Sequence, residues 1–232
     1  MEPPTYLAKK NSHPRDKCIT FDEGPHIYTI NGDSDFMSVT TWNHSHFSHF
    51  DADKIIDKMM MGRKWGPAHK HWGKTKEQIK QEWKDNGIAA STAGTKMHYD
   101  IECYYNDEDV EIEEGCIEWE YFEKFEDEIG GEKEPYRTEW MVWDDELKFA
   151  GSIDMTYINA DGTIDIYDWK RSVGIKMDNK WQRALTPCIK HLPDCNYYHY
   201  CLQLNTYKAL LEKNYGVRVK DMYLVCLHPN NA

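Results

Sequence analysis

The chain has 232 residues, 40% apolar and 13% aromatic, with 28 Lys+Arg against 40 Asp+Glu for a net charge of −12. That length and aromatic content fit one folded domain with a full core, alone or with a small appended lobe, and exclude a disordered polyanion. No run of about 18 apolar residues is present to span a bilayer, and the opening MEPPTYLAKKNSHPRDK lacks an apolar signal core, so a non-secreted, intracellular protein without membrane association is expected.

In chain order, residues 1–25 read as a flexible or clamping N-terminal arm, with Pro3, Pro4, Pro14 and Pro25, and residues 26–232 as a single domain. HIYTINGDSDFMSVT signals a hairpin whose Asn31-Gly32 suits positive φ. Asp51 can cap a helix to Met61, and a basic helix is expected over 75–85. Another helix follows in NGIAASTAGTKMHYDIECYYN, with Met97, Ile101 and Tyr104 on one face. Residues 107–134 are predicted as an acidic helix with Ile117, Tyr121 and Phe125 as its buried stripe. Strands are expected over 136–143, 147–158 and 163–170, then an irregular segment to residue 195, a helix over 197–214 and a last strand, DMYLVCL. This order predicts an α/β fold.

The charge is unevenly spread. Residues 54–84 hold nine Lys/Arg against three Asp/Glu (+6), residues 170–190 six against one (+5), and residues 100–145 three against nineteen (−16). The basic blocks, with Lys58, Arg63 and Lys64 in the first, can track a phosphate backbone while the acidic block faces away. On charge alone, solvated helix faces explain them equally well. The acidic segment 107–134 could instead dock a protein partner. Seven scattered cysteines without a CxxC pair suggest reduced thiols, and Cys188, Cys195 and Cys201 are poorly spaced for an iron–sulfur cluster.

The segment GSIDMTYINADGTIDIYDWK, residues 151–170, carries the chemistry. With Ala160-Asp161-Gly162 as a three-residue loop, Ile158 pairs with Ile164, Thr156 with Ile166, and Asp154 lies opposite Asp168, with Lys170 on the same face. Two adjacent carboxylates repel each other unless a divalent cation lies between them. The pattern [Asp/Glu]-x-Lys occurs four times, but only Asp168-Trp169-Lys170 follows an apolar run at a strand end. Trp169 is expected to pack on the far face while its carbonyl reaches toward a metal. His98 taken alone reads as a structural histidine, and Glu102 at i+4 as a neighbour on its face or a salt-bridge partner. Gln203 and Tyr207 share a helix face, and Tyr197, Tyr198 and Tyr200 suit either base stacking or a core edge.

Taken together, GSID…DWK, GTKMHYDIE around His98, Glu139 fifteen residues before Asp154, YCLQLNTY with Gln203 and Tyr207, and SVTTW resemble, in order, the motifs of the PD-(D/E)XK nuclease superfamily. The likeness is to its RecB-like branch, in the group of mitochondrial genome maintenance exonucleases and their viral relatives. It implies a restriction-endonuclease-like core, a central mixed β-sheet flanked by helices with the site at a notch in the sheet. It also implies Mg²⁺ or Mn²⁺ held by His98, Asp154, Asp168 and the Trp169 carbonyl, with Lys170 catalytic and Glu102 and Glu139 behind the ligands. The expected activity is hydrolysis of DNA, as an exonuclease on single-stranded ends. An endonuclease of DNA or RNA, and a non-catalytic nucleic-acid-binding module, stay open. Relatives often carry Thr after the motif lysine, whereas Arg171 here adds a charge expected to grip phosphate, with Gln203 and Tyr207 also expected at the nucleic acid.

Overall fold

The computed structural model describes residues 3–231, so Met1 and Glu2 of the expected arm lie outside the described residues. Two compact units are present: residues up to Ser48 together with Met97 onward, and His49–Lys96.

The larger unit is an α/β layer structure on a mixed sheet. β4 (Glu134–Asp144), β5 (Phe149–Ile158) and β6 (Ile164–Lys170) form an antiparallel meander. β7 (Val219–Cys226) adds parallel to β6, and the two-residue β3 (Met37–Ser38) adds parallel to β5. β6 is buried along almost its whole length, as expected of a strand covered on both faces. Helix α6 (Asn196–Asn214) covers one face, where Leu204, Tyr207, Leu210 and Leu211 pack with Ile166, Trp140 and Val142. The other face carries the last turns of α4 (Lys76–Tyr105) and α5 (Ile117–Glu128), whose Met97, Ile101, Tyr105, Phe122 and Phe125 meet Met155, Tyr157, Tyr167 and Trp169.

The chain before the sheet is clamped rather than loose. In α1 (Tyr6–Lys10), Leu7 is buried, and its N–H donates to Asn106 Oδ1 at 2.9 Å. Asp16 accepts from Arg137 at 2.7 Å, and the Arg15 guanidinium lies 3.5 Å from the Trp143 ring centre. Asn31 and Gly32 do turn at positive φ (51° and 86°). Across this turn Ile30 and Asp33 form a single antiparallel bridge, and the strand that pairs along all of β2 (Ile27–Ile30) is the upstream β1 (Ile19–Asp22). Ser38 caps α2 (Val39–His44) by accepting the Thr41 N–H at 3.0 Å.

Two helical expectations need correction. The basic helix and the His98 helix are one 30-residue helix, α4, because no breaker stronger than Gly87 separates them. Tyr104 is 44% exposed, and its neighbour Tyr105 enters the core instead. The acidic helix is only α5: residues 107–116 lack the apolar period that would fasten them. Phe122 and Phe125 form its buried stripe, while Ile117 is exposed.

In the smaller unit, Asp51 caps α3 (Ala52–Met60) by accepting the Lys54 N–H at 3.0 Å. Its basic block is partly self-neutralised. Lys76 pairs with Asp53 and Asp57, Lys80 with Asp53, and Lys74 with Glu82. Among the described residues, no helix is long and apolar enough to cross a membrane.

Candidate metal centre

The site begins as a defect in strand pairing. One edge of β5 is paired with β4 from Phe149 to Ile158. The other edge pairs with β3 at Phe149 and Ala150, and with β6 from Met155 to Ile158, leaving 151–154 without a strand partner. The hairpin register is the one the loop chemistry dictates, with Thr156 opposite Ile166, Ile158 opposite Ile164, and Gly162 at φ 78°. At Asp154 the ladder ends, and the side chain takes its place: Asp154 Oδ2 accepts the Trp169 N–H at 2.8 Å. β6 stays paired to β7 through Asp168, Trp169 and Lys170. This is a notch whose walls are held by strands.

Across β4, the pairs Thr138–Met155 and Trp140–Ile153 leave Glu139 opposite Asp154. Glu139 adopts φ +39°, rare for a residue with a side chain and typical of strain held at functional positions. Its Oε2 accepts from Ser152 Oγ at 2.7 Å. From α4, His98 Nε2 donates to the Trp169 carbonyl at 3.0 Å, which turns Nδ1 toward the carboxylates, 3.6 Å from Glu139 Oε1 and 3.7 Å from Asp154 Oδ2. An imidazole fixed through one nitrogen by a backbone carbonyl, its other nitrogen facing acids, is the usual arrangement of a metal-binding histidine. One ligand atom from each of His98, Glu139 and Asp154 lies within 4.8 Å of the others.

Asp168 is 2% exposed. Lys170 Nζ stands 2.6 Å from its Oδ2, an ion pair not aligned as a hydrogen bond, so this buried oxygen has no hydrogen-bond partner. Gln203 Nε2 donates weakly to Oδ1 at 3.4 Å. The Lys170 ammonium also lies 5.0 Å from the centre of the Tyr200 ring.

Four acids face two cations here, with electrostatic consequences. Burial and then the Asp168 charge push the Asp154 carboxyl up to about 7. Burial also raises Asp168, against the pull of Lys170. Burial works to lower His98, but Asp154 and Glu139 overcome it and push the imidazole up to about 9. Burial raises Glu139 too, yet His98 and Ser152 hold its carboxyl below the usual range. Glu102 is pushed up to about 8 by burial and by Glu139. Lys170, opposed by burial but paired with Asp168 and Asp154, is pushed up to about 12. The group is short of positive charge, and His98 supplies it as a proton.

The expected residues divide accordingly. His98, Asp154, Asp168, Lys170 and the Trp169 carbonyl all come to the notch. Glu139, expected behind the ligands, stands among them, whereas Asp168 is not in the ligand-spaced group because its carboxylate is turned to Lys170. The Trp169 indole is buried on the far face, among Tyr105, Phe122 and Phe125. Three expected nucleic-acid contacts have other partners. Arg171 Nε donates to Glu118 Oε1 at 2.7 Å, so this charge braces α5. Tyr207 is 2% exposed and packs against Gly151 in the core, where no substrate reaches it. Gln203 bonds Asp168 and the Tyr207 hydroxyl. Lys58, Arg63 and Lys64 are exposed in the smaller unit. Among the described residues, Cys188, Cys195 and Cys201 form no ligand-spaced group. Sequence reasoning missed Ser152, although it lies two residues before Asp154 on the same strand face, whereas Tyr200, read as a base-stacking or core-edge residue, instead faces the Lys170 ammonium.

No protein-family model matches the chain, and no curated protein matches it significantly.

Proposed function

We propose that this protein is a Mg²⁺- or Mn²⁺-dependent nuclease that hydrolyses DNA, acting as an exonuclease on single-stranded ends. The carrying observation is the convergence of His98, Glu139 and Asp154 on one point at the notch, with the Asp168–Lys170 pair beside it. The residues fit a hard divalent ion: two carboxylates and one imidazole nitrogen are oriented together. Such an ion supplies Lewis-acid charge and a bound water of lowered pKa.

His98, Glu139 and Asp154 would hold the ion. Ser152 and the Trp169 carbonyl orient two of these ligands. Asp168 holds the Lys170 ammonium at the notch. At about 12, Lys170 is a cation, so its part is to donate to the attacking water or the phosphoryl oxygens and to offset developing negative charge. It is not a base in this arrangement. Gln203 positions Asp168. The ordered motifs resembling the PD-(D/E)XK superfamily support the same chemistry.

The test is cleavage of end-labelled single-stranded and circular DNA with Mg²⁺, with Mn²⁺ and with chelator. Ion-dependent shortening of linear strands, lost in Asp154→Asn, is expected; no cleavage with either ion overturns the proposal.

A further inference from the structure

The irregular segment after Lys170 contains the most exposed large apolar side chain among those described, Trp181, at 91% exposure. A tryptophan in a loose tail would mean little, but this one sits on a fixed backbone. Asn179 Oδ1 accepts the Trp181 and Gln182 N–H groups at 3.0 and 3.1 Å, and its Nδ2 donates to the Asp194 carbonyl at 2.7 Å. Closer to the site, Asn196 at the start of α6 accepts the Lys176 N–H at 2.8 Å and donates to the Gly174 carbonyl at 2.9 Å. The segment is therefore pinned to the helix that carries Tyr200 and Gln203, while its indole is held out in water.

Its charge says what the indole is for. Lys176, Lys180, Arg183 and Lys190 are all exposed on the same segment as Trp181, with Asp178 the one acid over 170–190, in a chain of net charge −12. Apolar side chains alone would suit a protein partner; interleaved with these cations they select a polyanion with flat apolar faces. Bases in a duplex are already stacked, so the indole face selects an unpaired one.

Resting on the reading of the adjoining notch as a phosphodiesterase, we propose that Lys176–Arg183 is a guide for single-stranded nucleic acid: one base stacks on Trp181, and the flanking phosphates lie against Lys180 and Arg183.

The experiment is fluorescence anisotropy of a labelled oligothymidylate, an oligouridylate and a hairpin duplex, in EDTA so that nothing is cut. Trp181→Ala should weaken single-strand binding about 10-fold, the range for a lost stacked base, and Trp181→Phe should restore most of it. The duplex should be insensitive to both. Lys180→Glu with Arg183→Glu should flatten the salt dependence by about 1.4 log units per log unit of salt, about 0.7 for each phosphate contact. Whichever oligonucleotide binds tighter identifies the strand as DNA or RNA. Single-strand affinity unchanged in Trp181→Ala, equal loss on the duplex, or a change only in self-association by sedimentation overturns the guide. If Trp181-dependent binding holds but no ion supports cleavage, the guide stands and the hydrolase reading falls. If cleavage proceeds while Trp181→Ala has no effect on binding, the reverse is true.

Discussion

Replacing Asp154 with Asn should make the metal-free protein more stable at alkaline pH, although Asp154 is a proposed ligand. The carboxyl titrates near 3.8 when unfolded and about 7 in the fold, so between these values the folded state holds a proton that the unfolded state has lost, and stability falls as pH rises. At pH 8 the difference is about three powers of ten, or about 4 kcal/mol; at pH 4 it is less than about 1 kcal/mol. Part of the gain is forfeited, because Asp154 also sustains the raised His98, whose own stabilising contribution is complete below 6.5 and lost as pH rises through about 9. Discounting by half leaves about 2 kcal/mol at pH 8, or about 4–8 °C in melting temperature for a chain of this size. Asparagine can still accept the Trp169 N–H, so the strand contact survives. Melting in EDTA at pH 4 and pH 8 measures the effect. Equal shifts at both values, or a loss at pH 8, would refute the electrostatic account of the notch.

Millimolar Mg²⁺ or Mn²⁺ should raise the melting temperature of the native chain but not of His98→Ala, and below pH about 9 each ion should displace about one proton from His98, visible as a buffer-dependent calorimetric enthalpy. Binding without proton release would remove His98 from the ligand set. Lys170→Met should lower turnover at least about 100-fold while preserving the ion-induced melting shift. It should also destabilise the fold by about 3–5 kcal/mol, because Asp168 is left buried and unpaired. Adding Asp168→Asn should recover stability but not rate; recovery of both would exclude a catalytic lysine. Gly151→Ala would place a Cβ 2.8 Å from Tyr207 Cε1 and 3.2 Å from Val39 Cγ2, costing about 1–3 kcal/mol in denaturant unfolding. It should also disturb Gln203 and Asp168 through Tyr207; native stability and activity would show that this packing does not support the site.

What the sequence determined by itself is local. The two-residue period of β5 and β6, and a loop that needs Gly162 at positive φ, fix their register, and the register places Asp154, Asp168 and Lys170 at one strand end. The Asp51 cap was legible for the same reason, since donor and acceptor lie within three residues. What each charge does once it is there was decided by tertiary structure. Glu139 and Asp168 have similar carboxyls, yet one joins the ligand group because β4 lays it opposite Asp154, and the other turns to Lys170. Arg171 reads as a phosphate grip until Glu118, 53 residues earlier, is folded against it. Tyr207 matches a helix motif, but only the glycine at 151 makes the space that buries it. The orientation of His98 depends on a carbonyl 71 residues away. Backbone conformation is set by neighbours in sequence, but the energy of a buried charge is set by neighbours in space, and for this notch those come from β4, β5, β6, α4 and α6.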